Sequence, residues 1–258
     1  MLPEQPLIAI LSDFGEKDWY VASMKAVIAR ICPQARTIDI THQIEPGNVR
    51  SAAFVLSQCY TDFPKGTIFL CVVDPGVGTE RKPIVHWDGD YSFVAPDNGI
   101  LSLLNPGMCR TYEIEPLRFD SQTRGSNTFH GRDVFAPAAA MIAKGQNLES
   151  FCTRLPKFNH EGVEFPEVLR LPMGGAVLYF DQFGNGITSL RLSRISPKPK
   201  GVVLESGDHI PFGTSFSSVP KGKPVAYLGS GGFLEIAVNL GNARVALNLE
   251  AESHFQLV

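Results

Sequence analysis

Two hydrophobic rhythms alternate along the first half of the chain. LIAILSD (7–13), ARTIDIT (35–41), GTIFLCVVD (66–74), PIVHW (83–87) and YSFVAPD (91–97) are short runs rich in β-branched and aromatic residues, the pattern of strands. Between them, DWYVASMKAVIARI (18–31) and NVRSAAFVLSQCY (48–60) place apolar residues at helical spacing. Strand, helix, strand, helix, strand predicts an α/β domain with a mainly parallel sheet covered by helices. Ligands of such sheets bind beyond the carboxyl ends of the strands. Asp13 closes the first run and Asp74 the third, so two carboxylates are expected to face one crevice.

The rhythm weakens from about residue 147 to 172, where NLESFCTRLPKFNHEGVEFPEVLRLP carries three prolines, mixed charge and no sustained period. Beyond it, AVLYFD, ITSLRLS, VVLESGDHI, PVAYLGS, FLEIAVN and ARVALNLE follow one another across glycine-containing turns. This predicts a small all-β, barrel-like module. The expected organisation is an α/β domain over 1–160, a linker over 161–172 and a β domain over 173–258.

Composition narrows the function classes. The 258 residues exceed a single ordinary core; with 44% apolar and 19% charged residues they describe a soluble globular chain. A net charge of −3 lacks the basic excess of a nucleic-acid binder. Cys32, Cys59, Cys71, Cys109 and Cys152 are odd in number and form no CxxC pair, which predicts reduced thiols and a cytoplasmic location. The first residues lack the basic segment of a signal peptide, and no later run approaches the roughly 20 apolar residues of a membrane span.

Five segments offer chemistry. In LSDFGEKDWY, Asp13 suits either the vicinal hydroxyls of a ribose or the closing of its own turn, and Asp18 either caps a helix or meets a ligand. VVDPGVGTERKPI (72–84) has the glycines of a phosphate cradle. It leads into Lys82–Pro83 and a strand, however, where such a cradle needs a helix N-terminus. The loop is better suited to folding Arg81 back towards Asp74. His130, in TFHGRDVFAPAAA, stands where a helix begins near Arg132 or Asp133, either exposed for function or capping that helix. In YFDQFGNGITSL, Asp181, Phe183 and Asn185 either serve their turn or present an acceptor, an aromatic face and an amide to a nucleoside. YLGSGGFLEIAVN sets Tyr227 and Ser230 about a glycine-rich turn. His42, His86, His160, His209 and His254 make no metal-ligand spacing, so no metal is expected.

Taken together, SDFG with Asp18 five residues beyond Asp13, THQIEPGNVRSAA, VVDPGVGTERKPI, APDNGILS, TFHGRDVFAPAAA, YFDQFGNGITSL and GSGGFLEIAVN resemble the S-adenosyl-L-methionine hydroxide adenosyltransferase family. These are the hydrolase relatives of the fluorinating and chlorinating enzymes. The motifs occur in the family's order over nearly the whole chain. The resemblance implies a homotrimer with each site between the first domain of one subunit and the second domain of its neighbour. It places Asp74, Arg81 and His130 on the family's catalytic set, Asp13 on the ribose-binding aspartate and Asp18 on a residue holding the methionine amino group. Asp181, Phe183, Asn185 and Ser230 then fall on substrate contacts, with Asn98, Tyr227 and Glu235 as further ones. The implied reaction converts S-adenosyl-L-methionine and water to adenosine and L-methionine without a cofactor.

Three alternatives stand beside it. One is a protein that binds S-adenosylmethionine or adenosine without turnover; another is a metal-dependent hydrolase ligated by Asp13, Asp74 and His130. The third is a halide-dependent adenosyl transferase, against which stand Gly131, where the halogenating relatives carry a hydroxylated residue, and the missing extra loop between Thr79 and Ser126.

Overall fold

The computed structural model describes residues 5–104, 109–119, 126–156, 174–191 and 200–258. The chain divides into two compact units, Met1–Val163 and Glu164–Val258. The linker expected over 161–172 lies outside the described residues.

The first unit is an α/β sandwich. Its strands are β1 (Leu7–Ser12), β2 (Arg36–Thr41), β3 (Ile68–Val72), β4 (Pro83–Trp87), β5 (Ser92–Pro96), β6 (Arg110–Ile114) and β7 (Cys152–Arg154). They form a mixed sheet in the order β2-β1-β3-β5-β4-β6-β7. The β2-β1, β1-β3 and β3-β5 pairs are parallel; the pairs from β5 through β4 and β6 to β7 are antiparallel. Helix α1 (Tyr20–Ile31) joins β1 to β2, and α2 (Val49–Cys59) follows β2 with Asn48 as its cap, the Asn48 side chain accepting from Ser51 N.

Alternation along the central strands separates two apolar layers. Ile8, Ile10, Ile68, Leu70 and Val72 pack with α1 and α3 (Ala136–Ala143). Ala9, Leu11, Phe69, Cys71 and Val73 pack with α2. Covering both faces requires continuous apolar strands rather than alternating ones, and all five residues of β3 are buried. Asp74 follows Val73 in register with Leu70 and Val72, on the side of the sheet that α3 covers.

The second unit holds β8 (Gly174–Phe180), β9 (Gly186–Arg191), β10 (Gly201–Leu204), β11 (His209–Pro211), β12 (Pro224–Leu228), β13 (Phe233–Val238) and β14 (His254–Leu257). Their order is β11-β10-β14-β8-β9-β13-β12, with every ladder antiparallel. An isolated bridge from Phe212 to Ala226 brings the two ends of the sheet together, so the unit is nearly closed and barrel-like. One expected strand is absent. ARVALNLE begins as the short helix α4 (Ala243–Ala246), because Asn242 caps it by accepting from Val245 N. In this unit the strand that the pattern did not announce is β14, which pairs with both β10 and β8.

Candidate functional site

The carboxyl ends of β1 and β3 frame a crevice in the first unit. Asp13 follows β1 at a turn in which Gly15 adopts a positive φ of 64°, a conformation open to glycine at little cost. Asp13 Oδ2 accepts from Gly47 N at 2.8 Å. Burial raises the Asp13 pKa above the ordinary carboxylate value, and the charge of Asp74 adds to the rise. The two acids thus share one electrostatic neighbourhood.

Asp74 follows β3 and opens the loop that returns Arg81. Arg81 Nε donates to Asp74 Oδ1 at 2.9 Å, and Arg81 Nη2 donates to Asp74 Oδ2, a two-pronged pair with both side chains largely buried. The loop bends because Gly78 takes a φ of 79° and because Gly76 has no side chain. A Cβ on Gly76 would lie 3.1 Å from Arg81 Cγ and 3.3 Å from Thr79 Oγ1. Arg81 Nη2 also lies 2.6 Å from His130 Nδ1, and the guanidinium sits 5.2 Å from the centre of the Phe135 ring.

His130 is held just before a π-helical turn, Gly131–Phe135, that leads into α3. The imidazole makes no capping bond. A π turn inserts one residue into the helical repeat and is frequent at functional sites. Burial lowers the His130 pKa first, and the neighbouring Arg81 charge lowers it further. Asp133, buried in the same turn, accepts from Ser126 N at 2.9 Å and from the Arg132 guanidinium, so it fixes the loop-to-helix entry.

Phe14, Tyr20 and Phe129 form an aromatic wall: Phe129 meets Tyr20 edge-on at 5.1 Å and Phe14 at 5.8 Å. With Asp13, Asp74 and His130 they line a cavity of about 290 Å³. Asp18 is exposed and lies one residue before Trp19, the cap residue of α1, which has no side-chain capping bond. Asp18 is therefore not the helix cap. Asn98 is turned towards the backbone, its Nδ2 donating to Val73 O at 2.8 Å beside Asp74. Among the described residues, no group of three or more His, Cys, Asp or Glu side chains is placed to hold a metal ion. Between Asp74 and His130, the position that a metal ion would need is taken by the Arg81 guanidinium.

The second unit gathers the remaining predicted residues. Asp181 is committed to its own turn: Oδ1 accepts from Phe183 N at 2.9 Å and Asn185 N at 2.8 Å, and Oδ2 from Asn185 Nδ2 at 2.8 Å. That bonding leaves Asn185 buried and Phe183 67% exposed, an aromatic face presented by a rigid turn. Tyr227 and Glu235 stand directly opposite each other on β12 and β13, and Tyr227 Oη donates to Glu235 Oε2 at 2.8 Å. Burial raises the pKa of both groups, and Asp181 contributes like charge to each. Ser230 is exposed in the turn between these strands. A Cβ at Gly229 beside it would overlap Glu235 Oε1, so a side chain there would displace the Glu235 carboxylate.

Sequence reasoning missed Ser12 and Asp39, and weighed His42 only as a metal ligand. Ser12 Oγ lies 2.7 Å from His42 Nδ1, both groups buried beside Asp13. The DITH spacing that sets Asp39 three residues before His42 was the available signal.

Comparison with known proteins identifies the family. Residues 8–152 match the SAM hydroxide adenosyltransferase N-terminal domain and residues 175–256 the corresponding C-terminal domain. A Thermus thermophilus protein named (R)-S-adenosyl-L-methionine hydrolase is 42% identical over 258 residues, 94% of this chain and 96% of its own. A fluorinase of Actinopolyspora mzabensis is more distant, 28% identical over 95% of each chain. The crystal structure of an uncharacterized conserved protein from Thermotoga maritima superimposes with a TM-score of 0.88 at 39% identity, covering 97% of this chain and 100% of that one.

Proposed function

The chain belongs to the SAM hydroxide adenosyltransferase family, and from that premise we propose that it hydrolyses S-adenosyl-L-methionine to adenosine and L-methionine. The observation that carries this reading is the Asp74–Arg81–His130 trio at the carboxyl end of β3. An oxygen–C5′ bond forms as the C5′–sulfur bond breaks, and its electron pair goes to sulfur. The thioether departs neutral, so no acid is needed at the leaving group. What the site must supply is an aligned water and an acceptor for the proton the water loses.

A guanidinium only donates, so Arg81 cannot take that proton. With Nδ1 facing Arg81, the neutral His130 carries its hydrogen on Nε2 and also acts as a donor. Asp74 retains acceptor capacity beyond its two bonds to Arg81, because each carboxylate oxygen accepts more than once. Asp74 is thus the proton acceptor of the trio, while Arg81 and His130 stabilise hydroxide character on the attacking oxygen.

Asp13 takes the ribose hydroxyls and Asp18 the methionine amino group. Phe183, Asn185, Ser230, Tyr227 and Glu235 form the second unit's share of the site, and Asp181 serves it by holding the turn that presents Phe183. Asn98 acts on the site by holding the Val73 carbonyl. The division of these residues between two units supports a homotrimer with each site shared between subunits. No cofactor, nucleic acid or membrane takes part, and the five unpaired cysteines fit a reducing, cytoplasmic setting. No described helix is long and apolar enough to cross a membrane.

Two refinements follow. The name of the Thermus relative specifies the R configuration at sulfur, and we propose the same preference here. In-line attack fixes the C5′–sulfur axis, so inverting sulfur exchanges the directions of methyl group and amino-acid chain, and one pocket fits one epimer. Water is preferred to halide because a Cβ at Gly131 would already lie 3.1 Å from both Met24 Sδ and the Phe14 ring. A hydroxylated residue therefore fits poorly at that position.

The test is incubation with each sulfonium epimer and chromatography for adenosine, with and without chelator and with added chloride or fluoride. Adenosine from the R epimer, unaffected by chelator and accompanied by no halogenated nucleoside, is the expected result. Binding without product at high enzyme concentration would establish the sequestering alternative instead.

A further inference from the structure

Behind Asp13 lies a polar chain, buried at Ser12 and His42 and reaching solvent at Asp39 and Lys25, that the proposed chemistry leaves unused. Ser12, the last residue of β1, is fully inaccessible, and His42 is nearly so. Ser12 Oγ is 2.7 Å from His42 Nδ1. On the other side of the ring, His42 Nε2 stands 3.1 Å from Asp39 Oδ1, close but poorly aligned for a hydrogen bond. Asp39 Oδ2 in turn meets Lys25 Nζ at 2.5 Å.

The directions of these bonds are mutually consistent. With the imidazole hydrogen on Nε2, facing the Asp39 carboxylate, Nδ1 is free to accept the Ser12 hydroxyl hydrogen. Ser12 Oγ keeps its lone pairs and accepts weakly from Phe14 N at 3.4 Å. His42 grips the same turn a second time through its backbone, its carbonyl accepting from Gly15 N at 2.7 Å. Residues on both sides of Asp13 are thereby tied to one histidine, and Gly47, from the loop that His42 begins, bonds the Asp13 carboxylate itself.

We propose that His42 is a positioning residue that sets the Asp13 carboxylate at the angle needed to accept both vicinal hydroxyls of a ribose. This rests on the reading of Asp13 as the ribose acceptor. A buried Ser–His pair that only stabilised the fold would leave recognition of the diol untouched, so recognition is the readout.

The experiment measures Kd for adenosine and for 2′,3′-dideoxyadenosine by calorimetry, using the full chain and its Asp13→Asn, His42→Leu, His42→Asn and Ser12→Ala variants. The parent should favour adenosine by at least about tenfold, the worth of charge-assisted bonds to the diol. His42→Leu and Ser12→Ala should compress that ratio towards one. His42→Asn, with its amide near the former Nδ1, should recover part of it. Where His42→Leu fails to fold, Ser12→Ala carries the test, since it removes a single hydroxyl. If Asp13→Asn loses discrimination while the Ser12 and His42 variants keep it, the positioning role is overturned. If Asp13→Asn itself keeps the full ratio, the ribose assignment fails first and the role of His42 with it.

Discussion

The contact between Arg81 Nη2 and His130 Nδ1 joins a group that only donates to a ring that must therefore accept, so protonating His130 breaks the contact. Burial and the Arg81 charge already hold the His130 pKa below its ordinary 6.5. Between the lowered value and 6.5 the unfolded chain binds a proton that the native chain does not, so stability rises with pH across that window. A pH–rate profile should accordingly stay level down to about the ordinary histidine pKa and fall on further acidification. An acid limb starting well above 6.5 would contradict the assignment. Asp74→Asn removes the partner of a largely buried cation and should cost about 3 kcal/mol of stability, read by denaturant unfolding. The same variant should lower kcat by about a hundredfold or more. The places of Asp74, Arg81 and His130 were legible in the sequence because their loops end strands or open helices, and their grouping into one set came from the family resemblance. His42 was not, because its task depends on Ser12, thirty residues away, and long-range pairing leaves no local mark.

At the scale of elements, the Pro75–Arg81 loop and the π turn at Gly131 control the geometry. Gly76→Ala drives a methyl against the stem of Arg81, so activity should fall by an order of magnitude or more for a stability loss of about 1–3 kcal/mol. Measuring kcat beside thermal midpoint separates the two; equal, small losses in both would show that the loop does not need its glycine. Most of the sheet was readable because its parallel core strands are continuous apolar runs. β6 and β7 escaped, being an exposed-edged RTYEI and a three-residue CTR too short to show a period. ARVALNLE misled for the opposite reason: its apolar alternation suits a strand, yet the Asn242 cap starts a helical turn. The turn of Asp181 was ambiguous in sequence, and its three internal bonds assign the carboxylate to the turn and leave the Phe183 ring exposed.

At the scale of the whole molecule, the predicted residues fall in two units, and the proposed sharing of sites between subunits makes a quantitative demand. Asp74→Asn spoils only the first unit and Phe183→Ala only the second. Co-expressed, the two variants should form mixed assemblies in which about a quarter of the sites are intact by random assortment. Recovered activity well above either variant alone is expected; no recovery, with mixed oligomers demonstrated by mass spectrometry, would place each site within one chain. The division also orders events during synthesis. Asp13, Asp74, Arg81 and His130 all belong to Met1–Val163, and chains tend to fold domain by domain from the amino terminus. A nascent chain whose first unit has folded would therefore hold Asp74, Arg81 and His130 together before the residues proposed for the second unit's share of the site have folded.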